Sequence, residues 1–392
     1  MPASRSPSEG RLERTRSGAR VVLGIIDGGE SMQAVITSLG MISAVGHSVR
    51  SSVAAIRAGI SRPRPLPGAR DLDLDEGAAR AFVGHPIDGV TNGFAGVGRW
   101  KRLGERAGRD LLRGTSGLAD RLRGGRAALL VALPVLEPER FLLDDPVPPD
   151  ALRSDVGGAL AKLLDLPFAP EAIEVLCGGH AGALAALERA SALIAGGSVD
   201  LCLVLALDSY LDGASLDWLA AASRLKADDH PTGLLPGEAG ACFLVESPSA
   251  ARRAKVTPVA EVKAVRTGHS QKPWSDAARN GIELSATIRA ALAGAPFSGD
   301  LVLDLNGETW RAQELGCALP RVSDVLGSEV RWLTPAESLG DTGAASGAVG
   351  LSVAIGALER GWSLTTEALV VSMSEDGAVA AARIGAVRPG KG

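Results

Sequence analysis

A cysteine and a histidine lie three residues apart where an apolar strand turns into a helix rich in alanine and glycine. The stretch VLCGGHAGALAAL, from Val175 to Leu187, places Cys177 at the end of the strand and His180 at the bend. A thiolate at the start of a helix is a good nucleophile because the helix dipole lowers the pKa of the thiol. A histidine there can act as a base or as a hydrogen-bond donor. The stretch therefore raises the question of nucleophilic chemistry at this bend.

The bend belongs to a predicted βαβ unit. AIEVLC predicts a strand, the apolar face that follows predicts a helix ending at Gly196, and VDLCLVLAL predicts a fully buried strand. A related order recurs in EVRWLT, PAESLGD, a helix over 342–359, ALVVSMS and AVAAARI. This recurrence predicts an internal duplication into halves 32–250 and 251–392, with both Ala/Gly-rich helices between two sheets.

Other segments give weaker predictions. A strand and a helix are expected from Ala34 onward, another strand in LLPGEAGACFLVE, and loops with short helices over 62–125. Residues 1–31 predict a disordered extension, because their first twenty residues mix Ser, Arg, Gly and Pro with almost no apolar content.

Composition excludes several classes of function. The 392 residues carry 41 basic and 45 acidic side chains, and this balance gives no general attraction to nucleic acid or to anionic membranes. No apolar run is long enough to span a membrane. Four cysteines without CxxC spacing favour reduced thiols and a cytoplasmic location. No metal or dinucleotide signature is present in the sequence, so no cofactor is expected.

Four segments in order make the chain resemble the β-ketoacyl synthase branch of the thiolase-fold superfamily. VITSLGMISAVGHSVRSSVAAIRAG is similar to the family's opening strand and helix, and LIAGGSVDLCLVLALDS to the segment after its nucleophile helix. GLLPGEAGACFLVE is similar to the GxxxGEGAG strand, and LGDTGAASGAVGL to the GHxxGAAG loop and helix. The resemblance runs from about Gln33 to Val387 and implies an α/β chain with the duplicated five-layer αβαβα fold.

The resemblance also implies where a catalytic triad would lie. In the family, a cysteine at the bend accepts an acyl chain as a thioester, and two donor side chains stabilise the oxyanion and the enolate. Counting back from Asp200 places the nucleophile position on His180, with Cys177 about 10 Å earlier on the opposite face of the strand. The two donor positions match Asn306 and Asp341.

These positions depart from the family pattern. Cys177 is either a nucleophile displaced by a bulge or a buried structural thiol, and His180 is either functional or a hydrogen-bonded histidine filling a vacated pocket. Asn306 can still donate, but an ionised Asp341 only accepts and repels an enolate. The family's lysine before this motif is missing, and its glycine-rich C-terminal loop reads SMSEDGA. Ordinary decarboxylative condensation is therefore not expected.

Three functions are compatible with a retained scaffold and an altered site. The first is a non-condensing pseudoenzyme, a partner or scaffold subunit in fatty-acid or polyketide-type acyl chain biosynthesis, similar in logic to chain length factors. The second is an acyl-thioester acyltransferase or hydrolase, with His180 and Asp341 as an acid–base pair and Asn306 as oxyanion donor. The third is a passive binder of acyl chains.

The resemblance also implies partners. A homodimer or a heterodimer with an active ketosynthase is expected, because VDLCLVLALDS resembles the family's interface strand and is apolar on both faces. Acyl carrier protein and acyl-CoA are further candidates. The basic stretch RWKRLGERAGRDLLRG is either a solvated helix face or a docking site for an acidic carrier protein.

Overall fold

The computed structural model describes residues 34–73, 78–124, 126–227, 230–270 and 279–387. The extension predicted for residues 1–31 lies outside these ranges. Apolar runs in the described residues form twelve strands. They are β1 (Val35–Ser43), β2 (Arg64–Asp73), β3 (Ala78–Gly84), β4 (Ala127–Leu133), β5 (Ile173–Cys177), β6 (Leu201–Ser209), β7 (Glu238–Glu246), β8 (Ala260–His269), β9 (Phe297–Leu303), β10 (Leu326–Leu333), β11 (Glu367–Met373) and β12 (Ala378–Gly385).

Thirteen α-helices, several of a single turn, connect these strands in the described residues. They are α1 (Val49–Arg57), α2 (Gly96–Gly114), α3 (Leu118–Gly124), α4 (Pro138–Phe141), α5 (Pro149–Leu152), α6 (Ala159–Leu163), α7 (Gly182–Ala195), α8 (Gly213–Ala221), α9 (Pro248–Arg253), α10 (Ile282–Ala291), α11 (Thr309–Ala318), α12 (Ala336–Leu339) and α13 (Ser346–Glu359). A π-helical segment over Arg153–Gly158 joins α5 to α6, and short 3-10 turns precede α7 and α13.

Ten of the strands form one mixed sheet in the order β10-β9-β11-β12-β8-β1-β7-β6-β4-β5. The strands of each predicted half are neighbours in this order, and the two groups meet where β1 pairs with β8. The hairpin of β2 and β3 is separate. The predicted boundary between residues 250 and 251 falls inside α9, and the division into halves stays a prediction.

The two Ala/Gly-rich helices, α7 and α13, lie in the central core between the two strand groups. Small residues allow this close approach: a Cβ at Gly347 of α13 would lie only 3.2 Å from the Cβ of Ala183 on α7. Helices α2 and α6 share an outer core with the N-terminal strands, and α10 and α11 share one with the C-terminal strands. Three helical layers thus alternate with two strand layers, which confirms the five-layer αβαβα fold.

The prediction of loops and short helices over 62–125 is wrong. This region holds the β2–β3 hairpin and the 19-residue helix α2. The buried face of α2 includes Trp100, Leu103, Ala107 and Leu111 at helical spacing, but arginines and glycines between them hide the pattern. The basic stretch is this helix, and Glu105 on it already accepts ion pairs from two of its arginines. Its net positive surface is therefore smaller than the sequence indicates.

The interface role predicted for VDLCLVLALDS does not fit the sheet order. This segment forms β6, which pairs with β4 on one side and with β7 on the other. It is apolar on both faces because it is internal and covered by core on both sides. The strand at this end of the sheet is β5, whose pairing in the described residues is with β4.

Candidate functional site

His180 lies in the sharp turn between β5 and α7. Gly179 adopts a left-handed conformation with φ of 54°, which turns the chain and aims the next side chain into the core. Ser374, after β11, fixes the turn: its hydroxyl accepts from the Ala181 N–H at 2.9 Å and donates to the Gly178 carbonyl at 2.7 Å. The His180 side chain is buried. The fold therefore places the buried His180 side chain at the start of α7, and its assignment to the nucleophile position stays a prediction.

Cys177 is the last residue of β5 and packs with the outer core, away from the central core. Burial raises the pKa of its thiol to about 11. A thiol with this pKa is almost fully protonated near neutral pH, and a protonated thiol is a poor nucleophile. The geometry thus favours a structural thiol over a displaced nucleophile.

The structure brings together His180, Asn306 and Asp341, the three residues that the resemblance assigns to a triad. His180 Nε2 lies 2.7 Å from Asp341 Oδ1, and Asn306 Nδ2 donates to Asp341 Oδ2 at 2.6 Å. Asn306 Nδ2 also donates to Glu308 Oε2 at 2.8 Å. Since an amide nitrogen carries two protons, both donors of Asn306 are already engaged by carboxylates.

The protonation of His180 follows from its neighbours. Burial and the nearby Arg311 lower the pKa of the imidazole, but Asp341 and Glu375 outweigh them and raise it to about 10. Nε2 then donates to Asp341, and Nδ1 faces Glu375 Oε2 at 3.4 Å. Arg311 Nη2 is also 2.9 Å from Nε2, but a protonated nitrogen cannot accept its hydrogen bond. His180 is therefore an imidazolium held between two carboxylates.

The ion pairs extend into what we term the buried charge network. Its members are side chains of opposite charge that come from both halves of the sequence: His180, Arg224, Arg311, Asp304, Glu308, Asp341 and Glu375. Arg224 Nε donates to Glu308 at 2.6 Å, and Arg224 Nη2 donates to Glu375 at 3.2 Å. Arg311 Nη1 lies 3.2 Å from Asp304. Buried charges are tolerated when they are paired in this way.

The two carboxylates on His180 are ionised. Burial raises the pKa of Asp341, but His180 and Arg311 outweigh it, so the pKa is held below its usual value. The same balance, with Arg224 added, lowers the pKa of Glu375. Asp341 and Glu375 thus place negative charges beside His180, and an ionised carboxylate cannot donate a hydrogen bond to a developing oxyanion.

A second buried ion pair lies beside the network. Arg140 Nη2 donates to Asp208 Oδ1 at 2.6 Å, and Asp208 Oδ2 accepts from the Ala344 N–H at 3.0 Å. The Arg140 guanidinium also stacks on the ring of Tyr210, whose hydroxyl donates to Glu375 at 3.1 Å. Charged and aromatic side chains therefore fill the space around the His180 turn.

Two small cavities touch this region. One of about 20 Å³ is lined in part by Asp304, Asn306 and Asp341, and another of about 10 Å³ by Arg140 and Glu375. The first has room for one water molecule. Pockets that bind small organic ligands are on the order of 300–1,000 Å³. Neither cavity admits an acyl thioester in this arrangement.

The sequence reasoning identified three of these residues and missed the others. Arg311 and Glu308 lie in NGETWRAQ, where a helix start with mixed charges resembles an exposed surface. Glu375 lies in SMSEDGA, directly after an apolar strand. A charged residue close after a buried strand was the available signal for a buried charge. This signal does not show which residue pairs with that charge.

Three further properties of the described residues complete this description. Within the described ranges, no group of three or more His, Cys, Asp or Glu side chains has an arrangement that could hold a metal ion. Among the helices described, none is long and apolar enough to cross a membrane. All four cysteines are free thiols.

Comparison with known proteins gives matches in structure alone. No protein-family model matches the chain, and no curated protein matches it. Many solved structures do match. A ketosynthase from module 6 of the bacillaene synthase from Bacillus subtilis 168 aligns with a TM-score of 0.72 and 12% identity, over 91% of this chain and 72% of its own.

Two further neighbours come from multi-protein systems. The ishigamide ketosynthase/chain length factor aligns with a TM-score of 0.64 and 22% identity, over 91% of this chain and 100% of its own. AntDE:AntF, a type II polyketide synthase acyl-carrier protein in complex with its ketosynthase, aligns with a TM-score of 0.72 and 14% identity, over 91% of this chain and 99% of its own. The chain therefore has the thiolase-like fold that these ketosynthase and chain length factor structures share.

Proposed function

We propose that this protein is a non-condensing homologue of β-ketoacyl synthases, a pseudoenzyme that serves as a partner or scaffold subunit in fatty-acid or polyketide-type acyl chain biosynthesis. The buried charge network carries the proposal. His180 is protonated, both donors of Asn306 are engaged, and Asp341 is anionic. None of the three is free to act as nucleophile, base or oxyanion donor.

A thioester hydrolase or acyltransferase is the second candidate function. It is favoured by the hydrogen-bond distances that join His180, Asn306 and Asp341. It requires the network to open, because the imidazolium cannot take a proton and the adjoining cavities hold about one water. The same lack of space weighs against a passive binder of acyl chains.

Mass spectrometry of the intact protein after incubation with acetyl-CoA and malonyl-CoA tests these alternatives. We expect no acyl adduct and no hydrolysis above the rate of His180→Gln. A persistent adduct that is lost in Cys177→Ala would restore Cys177 as the nucleophile. Hydrolysis that disappears in both His180→Gln and Asp341→Asn, with the fold retained, would establish the hydrolase.

A partner subunit needs a surface for its partner, and β5 is the candidate. This strand ends the sheet, and Val175, Leu176 and Cys177 on it are only half-buried. An edge strand with apolar side chains is a template for pairing with another chain. The proposed partner is a second copy of this chain or an active ketosynthase. That assembly would bind an acyl carrier protein or acyl-CoA.

Light scattering at micromolar concentration tests the pairing. A dimer is expected for the isolated chain, and Val175→Lys is expected to give a monomer because it places a charge on the β5 edge. Val330→Lys is the matched control, since Val330 is half-buried on β10 at the other end of the sheet. A strict monomer would contradict the homodimer and leave the heterodimer to be tested by co-expression with a ketosynthase.

A further inference from the structure

A separate cleft of about 550 Å³ opens between the C-terminal end of α1 and α12. It shares no lining residue with the two cavities beside the buried charge network. Its lining includes the apolar side chains of Ile56, Leu333 and Val353, which pack with the central core. The volume lies in the range of pockets that bind small ligands, on the order of 300–1,000 Å³.

One wall of the cleft presents hydrogen-bond donors without acceptors. The exposed Arg57 guanidinium lies 5.2 Å from the ring centre of Trp362, and no carboxylate of the described residues pairs with it. Arg331 stacks on the same ring at 5.5 Å, but Asp300 engages it with two 2.8 Å contacts. Trp362 Nε1 is buried and has no acceptor among the described residues. Arg57 and Trp362 together therefore favour an acceptor from a ligand.

A carboxylate in the lining of the cleft limits the charge of that ligand. Glu337 lines the cleft and accepts a hydrogen bond from the Thr334 hydroxyl. Its carboxylate disfavours a second negative charge on the same ligand, because like charges repel strongly at short range. The apolar side chains of Ile56, Leu333 and Val353 in the same lining suit a hydrocarbon group.

We infer that this cleft binds a small monoanion, a carboxylate or sulfonate carried on a flat apolar group. The anion lies at Arg57 and Trp362 Nε1, and the apolar group lies over Ile56 and Val353. This site is independent of the proposed scaffold function, because binding is measured on the isolated chain and does not involve the buried charge network.

Calorimetric titration of the full chain with naphthalene-2-sulfonate tests the inference. Saturable binding at one site is expected. Arg57→Gln is expected to weaken it at least tenfold, since a charge-assisted hydrogen bond is lost. Trp362→Phe keeps an aromatic ring but removes the N–H donor, and a loss of about threefold to tenfold is expected. Arg106→Gln, an exposed position on α2 outside the cleft, is the control and leaves binding unchanged.

The matched neutral ligand naphthalene-2-sulfonamide is expected to bind more weakly than the sulfonate, and naphthalene-2,6-disulfonate more weakly as well. The inference is overturned if no saturable binding occurs up to about 1 mM. It is equally overturned if Arg57→Gln binds as the unmodified chain does, or if the sulfonamide binds as tightly as the sulfonate. Should Trp362→Phe fail to fold, Arg57→Gln decides, because Arg57 is exposed.

Discussion

Raising the pH from 6.5 to about 8 should lower the free energy of unfolding of this protein by about 2 kcal/mol through His180 alone. The imidazole has a pKa of 6.5 in the unfolded chain and about 10 in the native structure, where Asp341 and Glu375 outweigh burial and Arg311. Below pH 6.5 both states carry the proton, and the stabilisation is complete. As the pH rises toward 10 the unfolded chain has lost the proton and the native one has not, so the stabilisation falls away.

The window from pH 6.5 to about 8 isolates this effect. The lowered pKa values of Asp341 and Glu375 give stability that is present above their usual values of 3.8 and 4.5 and is lost on acidification, so they contribute no slope here. His85, whose pKa burial lowers to about 4, makes stability rise with pH, and this opposite contribution fades within about one pH unit above 6.5. Stopping at about pH 8 also limits the contribution of the cysteine thiols, which titrate near 8.5 in unfolded chains.

Urea denaturation at several pH values in this window measures the slope. The expected loss is about 1.4 kcal/mol per pH unit for a single proton. His180→Gln is expected to be less stable at pH 6.5, by about 3–5 kcal/mol, because it removes the cation that lies between two buried carboxylates. Its stability should then be nearly independent of pH. His47→Gln, at an exposed histidine, should keep the slope of the unmodified chain.

A flat profile in the unmodified chain would contradict this prediction, as would a His180→Gln variant with the same slope. Either result would mean that His180 is neutral in the native structure. Nε2 would then be able to accept from Arg311, and the argument against a catalytic base would fail.

Three further predictions concern packing, burial and charge. Gly343→Ala should destabilise the protein severely, since its Cβ would lie 1.9 Å from Asp208 Oδ2 at φ of 53°. Gly59→Ala meets open space, and its free energy of unfolding in urea should fall by about 1 kcal/mol. Cys317 is exposed, so iodoacetamide should alkylate it at least tenfold faster than the other three thiols, as peptide mass spectrometry would show. Arg140→Met leaves Asp208 unpaired, and urea unfolding should show a loss of about 3–5 kcal/mol.

The sequence predicted those parts of the fold whose signals are local. The unit of β5, α7 and β6 was recognisable because apolar runs, helical spacing and a glycine stop lie within a few residues of one another. Helix α13 and its flanking strands were recognisable for the same reason. Helix α2 was missed because glycines form part of its buried face: a Cβ at Gly108 would lie 2.5 Å from Leu164. A glycine in a sequence is usually a signal against a helix.

The position of β6 in the sheet was beyond what its composition could show. A strand that is apolar on both faces is equally consistent with an internal strand and with one continued across an interface. Only the pairing of β6 with both β4 and β7 decides between them. Strand order depends on contacts between residues far apart in the chain, and it is therefore difficult to predict from a single sequence.

The charged residues of the site also depend on long-range contacts that a single sequence does not show. The resemblance to the family assigns His180, Asn306 and Asp341 to one site, where each residue type is a separate departure from the family pattern. In the structure they depend on one another. A buried Asp341 without His180 would be an unpaired charge, and a buried His180 without Asp341 and Glu375 would lose its proton.

Arg224 and Arg311 extend this dependence, because Arg224 pairs with Glu308 and Glu375 and Arg311 pairs with Asp304. Removing one partner from a buried ion pair is expected to cost about 3–5 kcal/mol, which is a large part of the stability of a typical domain. Changes at these positions are therefore tolerated as a set rather than singly. His180, Asp341 and Glu375 therefore form one electrostatic unit with Arg224 and Arg311, and the stability of each charge depends on the others.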